Sequence, residues 1–263
     1  MKFLSTLFII AGAILSFMTH AGDLTNANDI ITKANLASYY SADDGSAQAR
    51  MIIVDAQGNK QMRQFTILRK DQADLGNQDI LVFFSRPTDV QGTVFRVVKK
   101  VSSDDDRWLY LPALDLVKRI SAGDKRTSFV GAHFFYEDVS GRNPAEDNFT
   151  LLKTDDKFYT LKAQPKDPNS VEFEHYIVNI DKRTFLPMHV DFYNSQGKKS
   201  RSLEVLKTEI IDGFATVMHS KITQHNDGSY TEMQFRNVKY NVGLPDNIFS
   251  ERGLRNPPKA WLD

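Results

Sequence analysis

The sequence predicts a mainly β protein: about a dozen antiparallel strands curled into a barrel or half-open barrel, preceded by one helix. Three observations carry this. After Tyr40, period-two alternation of apolar and polar residues replaces almost every helical pattern. Short turn signals recur between the alternating runs, as strands joined by hairpins require. A meander of that many strands is too wide to stay flat, so it must curl.

The chain opens with Lys2 and an apolar run from Phe3 to Phe17, and Thr19 and Ala21 sit at the spacing that signal peptidase reads. Residues 1–21 are therefore expected to be a signal peptide, with one domain over 22–263. The run is shorter than the roughly 20 residues of a membrane span. Cysteine is absent throughout, which removes disulfides and any lipid-accepting thiol at the new N-terminus. An exported chain without disulfides points to the periplasm.

Over 26–40, Ile30, Ile31, Ala34, Leu36 and Ala37 recur at helical spacing, with Asn26 or Asn28 as cap. A hairpin follows, with strands at 49–55 and 60–69 around Gln57, Gly58 and Asn59; Phe65 and Ile67 face opposite to Met62, Thr66 and Leu68. Further strands are expected at 79–85, 93–101, 107–111, 116–120, 148–153 and 157–164, then at 171–180, 185–193, 200–210, 215–225 and 230–238. Turns at Asp155, Asp181, Ser195 to Gly197, Asp212 with Gly213, and Asn226 to Gly228 make successive strands antiparallel neighbours in one unbroken meander.

One segment interrupts this rhythm. Residues 121–144 read SAGDKRTSFVGAHFFYEDVSGRNP, with polar and glycine-containing ends around Phe129, Val130, Phe134, Phe135 and Tyr136. It is too long for an ordinary connection and too aromatic for disorder, so it must lie against something apolar. It is either a fixed plug at one end of the barrel or a lid that shares the interior with a ligand.

Composition and motifs exclude much else. The 33 basic and 33 acidic residues balance, leaving no electrostatic case for nucleic acid. The cluster Lys198, Lys199 and Arg201 reads as a solvated hairpin end. There is no serine-nucleophile elbow, phosphate loop, dinucleotide fingerprint or paired zinc histidine motif. His133, His175, His189, His219 and His225 lack ligand spacing, and Asp104, Asp105 and Asp106 read as a solvated turn rather than a calcium loop. No enzyme, metal or cofactor is expected.

The stretch from Leu81 to Leu114 reads LVFFSRPTDVQGTVFRVVKKVSSDDDRWLYLPAL. Its Arg86-Pro87 strand end, Ser-Asp-rich turn and Trp108 to Pro112 strand resemble the LolA and LolB family of lipoprotein carriers and receptors. The resemblance is closer to the LolA-like branch labelled outer membrane lipoprotein-sorting protein. Members of that branch follow WLYLPAL with a V-(K/R)-R-I strand, here Val117 to Ile120. An F-x-G-x-x-F-x-Y-E-D segment comes next, here Phe129, Gly131, Phe134, Tyr136, Glu137 and Asp138. His133 and Phe135 depart from the branch, which has a small acidic or polar residue and a serine there.

The resemblance implies a half-open antiparallel barrel of about 11–12 strands with a lid, whose concave face takes up the acyl chains of a lipoprotein or lipid. It implies that Arg86 closes the lid by bonding to lid backbone, and that an RND- or MMPL-type inner-membrane exporter is a donor. The expected ligand-binding residues are Phe129, Phe134, Phe135 and Tyr136 on the lid, with Leu116 in the cavity and Trp108 and Tyr110 on the wall beneath. Burying a 16-carbon chain gains about 13 kcal/mol gross, and refolding three or four large lid side chains over an empty cavity recovers ~6–12 kcal/mol. Lid and cargo can therefore compete for one surface. The alternative function for the same fold is an envelope-stress adaptor that binds a periplasmic polypeptide.

Overall fold

The computed structural model describes residues 23–73 and 75–262, so the expected signal peptide at 1–21 lies outside the described residues. Helix α1 (Ala27–Tyr39) starts at Asn26, whose side chain accepts from the Asn28 N–H at 2.8 Å. Its buried Ile30 and Ala34 pack on Tyr159, Leu161, Val178 and Ile180.

Among the described residues thirteen strands follow, all in one open antiparallel sheet. The first group is β1 (Asp44–Val54), β2 (Lys60–Asp71), β3 (Gln78–Arg86), β4 (Val94–Lys99), β5 (Asp106–Leu111) and β6 (Leu116–Ile120). The second comprises β7 (Asp147–Thr154), β8 (Phe158–Pro165), β9 (His175–Asp181), β10 (Pro187–Tyr193), β11 (Lys199–Ile211), β12 (Phe214–Gln224) and β13 (Tyr230–Tyr240). Short helices α2 (Tyr136–Ser140) and α3 (Glu251–Arg255) lie between the groups and after β13.

The unbroken meander is overturned. The order is β6-β5-β4-β3-β2-β1-β13-β12-β11-β10-β9-β8-β7, so β6 and β7 are successive in sequence and stand at opposite edges. The two meanders join through β1 and β13, which pair from Gly45 opposite Tyr240 to Val54 opposite Tyr230. The sheet therefore stays open, and the chain between β6 and β7 must travel from one edge to the other.

Alternation along the strands sorts the apolar residues onto two faces. On the concave side Phe65, Ile80, Val82, Phe84, Phe95 and Val97 form the main core. On the convex side Leu68, Leu81 and Val94 are covered by Leu244, Ile248, Phe249 and Leu254 from the segment after β13. Asp44 pins the start of that segment, accepting from the N–H groups of Val242 and Leu244, each at 2.6 Å. Lys70 donates to the Leu244 carbonyl at 2.7 Å.

Candidate functional site

The crossing segment has a tightly turned tip. Phe129 N–H donates to Phe134 O at 2.8 Å and Ala132 N–H to Phe129 O at 3.0 Å, closing a tight turn over Val130 and Gly131. Both central residues have positive φ, 48° and 82°, the pattern of a type I′ hairpin turn. Phe129 is 1 % exposed. Its ring centroid lies 5.3 Å from Phe95, 5.7 Å from Phe84 and 5.6 Å from Tyr136. This half of the segment packs into the concave core.

The other half is held by charge. Glu137, 2 % exposed, lies among three cations: Arg126 at 2.7 Å, Lys125 at 3.2 Å and Arg142 at 3.5 Å. Burial alone would raise its carboxyl pKa. Arg126, Lys125 and Arg142 outweigh that and hold it below the usual carboxylate value. Arg126 continues to Glu172, and Arg142 makes a paired contact with Asp147 at 2.8 Å to each oxygen. Asp138 accepts from the Phe135 N–H at 2.7 Å and pairs with Arg201 of β11. Arg201 also donates to His133 O at 3.3 Å. Phe135 lies beside both guanidinium groups, 4.8 Å from Arg126 and 4.1 Å from Arg201.

The base of the segment is fixed as firmly. Lys99 of β4 donates to the Ser140 carbonyl, and burial pushes its pKa down to about 8 against the opposing pull of Asp105. Ser140 Oγ donates to Asp105 at 2.8 Å and accepts from Arg107 at 3.2 Å. Gly141, at φ 76°, lies so close to α1 that a Cβ there would stand 2.3 Å from the Tyr39 ring. Only glycine fits both the conformation and the contact.

Between this segment, α1 and the concave face lies a cavity of about 480 Å³. Its walls include Ile31 of α1, Phe65 and Ile67 of β2, Leu203 of β11 and Phe235 of β13, with Phe134 above. Its lining is mainly aliphatic and aromatic, and Arg69, Arg126, Asp138, Arg142, Arg201 and Lys239 also border it.

The expected site residues divide sharply. Phe129 and Phe134 border the cavity; Phe135 packs against the guanidinium groups, and Tyr136 is buried against Phe95 and Phe129. Trp108 and Tyr110 are corrected. Their neighbour Leu109 takes the concave position, so alternation puts them on the convex face, packed with the covering segment. There Arg96 stacks on Trp108 at 4.7 Å, and Arg255 approaches Tyr110 at 5.7 Å. Leu116 is 45 % exposed near the outer edge, away from the cavity. Arg86 is exposed at the end of β3 in a surface hollow that Met62 and Pro87 also line. It makes no hydrogen bond to the crossing segment among the described residues.

Arg201 corrects the reading of its cluster as a solvated hairpin end. It is 2 % exposed because its strand position faces inward, toward Asp138. The Asp run also departs from a simple solvated turn: Asp105 is drawn to Arg107 and Ser140, while Asp106 pairs with Lys100 and Arg119. Among the described residues no three or more His, Cys, Asp or Glu side chains are grouped to hold a metal. Glu137 and Asp138 stood in the Y-E-D motif, the available signal for their roles; Arg201 and Lys99 had none.

A family model described as an uncharacterized protein family matches residues 76–256, well over half of the chain. The chain belongs to that family. Its fold is LolA-like. A DUF1329 family protein from Desulfovibrio piger is 28 % identical with TM-score 0.79, over 87 % of this chain and 97 % of that one. An outer membrane lipoprotein-sorting protein domain from Vibrio parahaemolyticus is also 28 % identical with TM-score 0.79, over 88 % of this chain and all (100 %) of that one. A LolA superfamily protein from Nitrosomonas europaea, 19 % identical, has the same fold at TM-score 0.67, over 88 % of this chain and 100 % of that one. No curated protein sequence matches the chain. No helix among the described residues of this family member is long and apolar enough to cross a membrane.

Proposed function

We propose that this LolA-like chain is a periplasmic carrier that takes an acyl chain of a lipoprotein or lipid into the concave cavity and moves it toward the outer membrane. An RND- or MMPL-type inner-membrane exporter is the proposed donor. The observation that carries the reading is the apolar cavity of about 480 Å³, within the roughly 300–1,000 Å³ of small-ligand pockets. It remains present while the crossing segment is clasped. Loading therefore does not require Phe129 and Tyr136 to leave the aromatic core; it requires movement at Phe134 and along the side held by Arg201.

An acyl chain leaving water gains ~0.8 kcal/mol per methylene, so a short stretch of chain offsets the displacement of one large side chain. Capture and release then stay close in free energy, as transfer between two membranes demands. The test is to purify the full chain from its native envelope, extract it and identify what is bound by mass spectrometry. Co-purifying acyl lipid or lipoprotein supports the carrier. A bound polypeptide without acyl groups removes the carrier reading in favour of the adaptor.

A further inference from the structure

Arg201 is the exceptional wall residue of the cavity. It is almost fully buried, yet only its Nη2 has acceptors, Asp138 and the His133 carbonyl. Nε and Nη1 are shut off from solvent and have no partner within the protein. Those two nitrogens carry three of the five N–H donors of a guanidinium. The other arginines that border the cavity are satisfied differently: Arg126 is engaged by Glu137 and Glu172, Arg142 by Glu146 and Asp147, and Arg69 by the Ala42 carbonyl and Asp71. Buried donors without acceptors are costly, and both nitrogens are closed off even from the cavity in this conformation, so they become a place for a ligand acceptor once the side of the segment held by Arg201 moves.

The kind of acceptor follows from the charges. Arg201 is already balanced by Asp138, and Phe135 and Phe192 cover its faces at 4.1 and 5.3 Å. A carboxylate or phosphate brought to the same guanidinium would sit close to the Asp138 carboxylate in a poorly screened site and be repelled. A neutral oxygen would not. We propose that Arg201 recognises the carbonyl oxygen of an ester- or amide-linked acyl chain, receiving it at Nε–H or Nη1–H while the hydrocarbon lies along the apolar walls. This assignment rests on the carrier reading and narrows it: the cargo is an acyl compound with its linkage carbonyl inside the cavity.

The test displaces 1-N-phenylnaphthylamine, a neutral apolar dye without a carbonyl, from the full chain. The competitors are methyl dodecanoate, N-methyldodecanamide and dodecyl methyl ether, each below its solubility limit. Hydrogen bonds to charged groups predict that at least one carbonyl compound competes about 10-fold or more better than the ether. Whichever of the two is tighter names the linkage. In the double variant Arg201→Met with Asp138→Asn, which leaves no buried unpaired charge, the preference falls below about 3-fold. Equal competition by all three ligands on the wild-type chain overturns the assignment and leaves the carrier reading standing, whether or not the variant folds. If neither dye nor ligands bind at all, the carrier reading falls and takes the assignment with it.

Discussion

Arg201 on β11 and Asp138 on α2 form a largely buried ion pair that ties the sheet to the segment crossing its concave face. The pair spans the seam along which the cavity would have to open. Removing one partner strands the other, whereas removing both does not. Arg201→Met is expected to cost about 3 kcal/mol, and adding Asp138→Asn to recover a substantial part of it. Urea unfolding of the three chains checks this; a double variant as unstable as the single one would show that the pair is not coupled.

Glu137 gives a pH signature. Its folded pKa is depressed, so its contribution to stability is present above the ordinary carboxylate value and is lost as pH falls through the folded one. Glu137→Gln should destabilise by ~3–5 kcal/mol at neutral pH. The gap to wild type should narrow in acid, because the unfolded wild-type carboxyl then takes up its proton before the folded one does. Unfolding curves at pH 7 and near pH 3 measure both gaps, and a gap independent of pH would contradict the assignment.

Phe129 and Phe134 lie on the same hairpin tip and should behave differently. Phe129→Ala leaves a hole in an aromatic core and is expected to cost ~3–5 kcal/mol. Phe134→Ala borders existing space, so it should cost less and enlarge the cavity. Uptake of a fluorescent fatty acid should change in a folded Phe134→Ala chain. Equal uptake by that variant and wild type would remove Phe134 from the ligand path.

Trp108 supports the convex covering segment through Arg96 and the cluster around Leu244 and Phe249. Trp108→Ala is expected to lower stability by about 1–3 kcal/mol. It should leave dye capture unchanged at a temperature where the chain stays folded. Loss of capture without loss of stability would return Trp108 to the cavity side.

Lys99 titrates at about 8 when folded, below its ordinary value of 10.5. Between those values the unfolded chain holds the extra proton, so this group makes stability rise with pH from about 8 to 10. Above pH 10, burial keeps Tyr40 protonated up to about 12, and that opposes the trend. Wild type should therefore gain stability relative to Lys99→Met between pH 8 and 10. Parallel pH profiles would refute the depressed value.

Much of the architecture was legible because it depends on local alternation. Strand β6 was read with its observed limits, one of the two asparagines offered as cap, Asn26, takes that place, and the opposed faces of Ile67 and Leu68 follow from short-range geometry. Strand order was not legible. Period two says that β6 and β7 are strands, but not that an intervening aromatic segment carries the chain to the far edge. Trp108 failed for a related reason: alternation separates two faces without naming the concave one, and both faces are apolar here. Arg201 failed because a lone arginine beside two lysines reads as solvated unless its acid is known. Asp138 is distant in sequence and comes to it only through folding.

The seam between β1 and β13 has a consequence for how the molecule comes into being. Gly45 and Tyr240 are partners across about three quarters of the chain, so the middle of the sheet closes only after the last strand has arrived. Until then both wings expose unpaired strand edges at their inner margins, and contacts so remote in sequence form slowly. A copy still folding would spend that interval with its inner strand edges unpaired, the stage at which it is most open to edge-to-edge association with another chain.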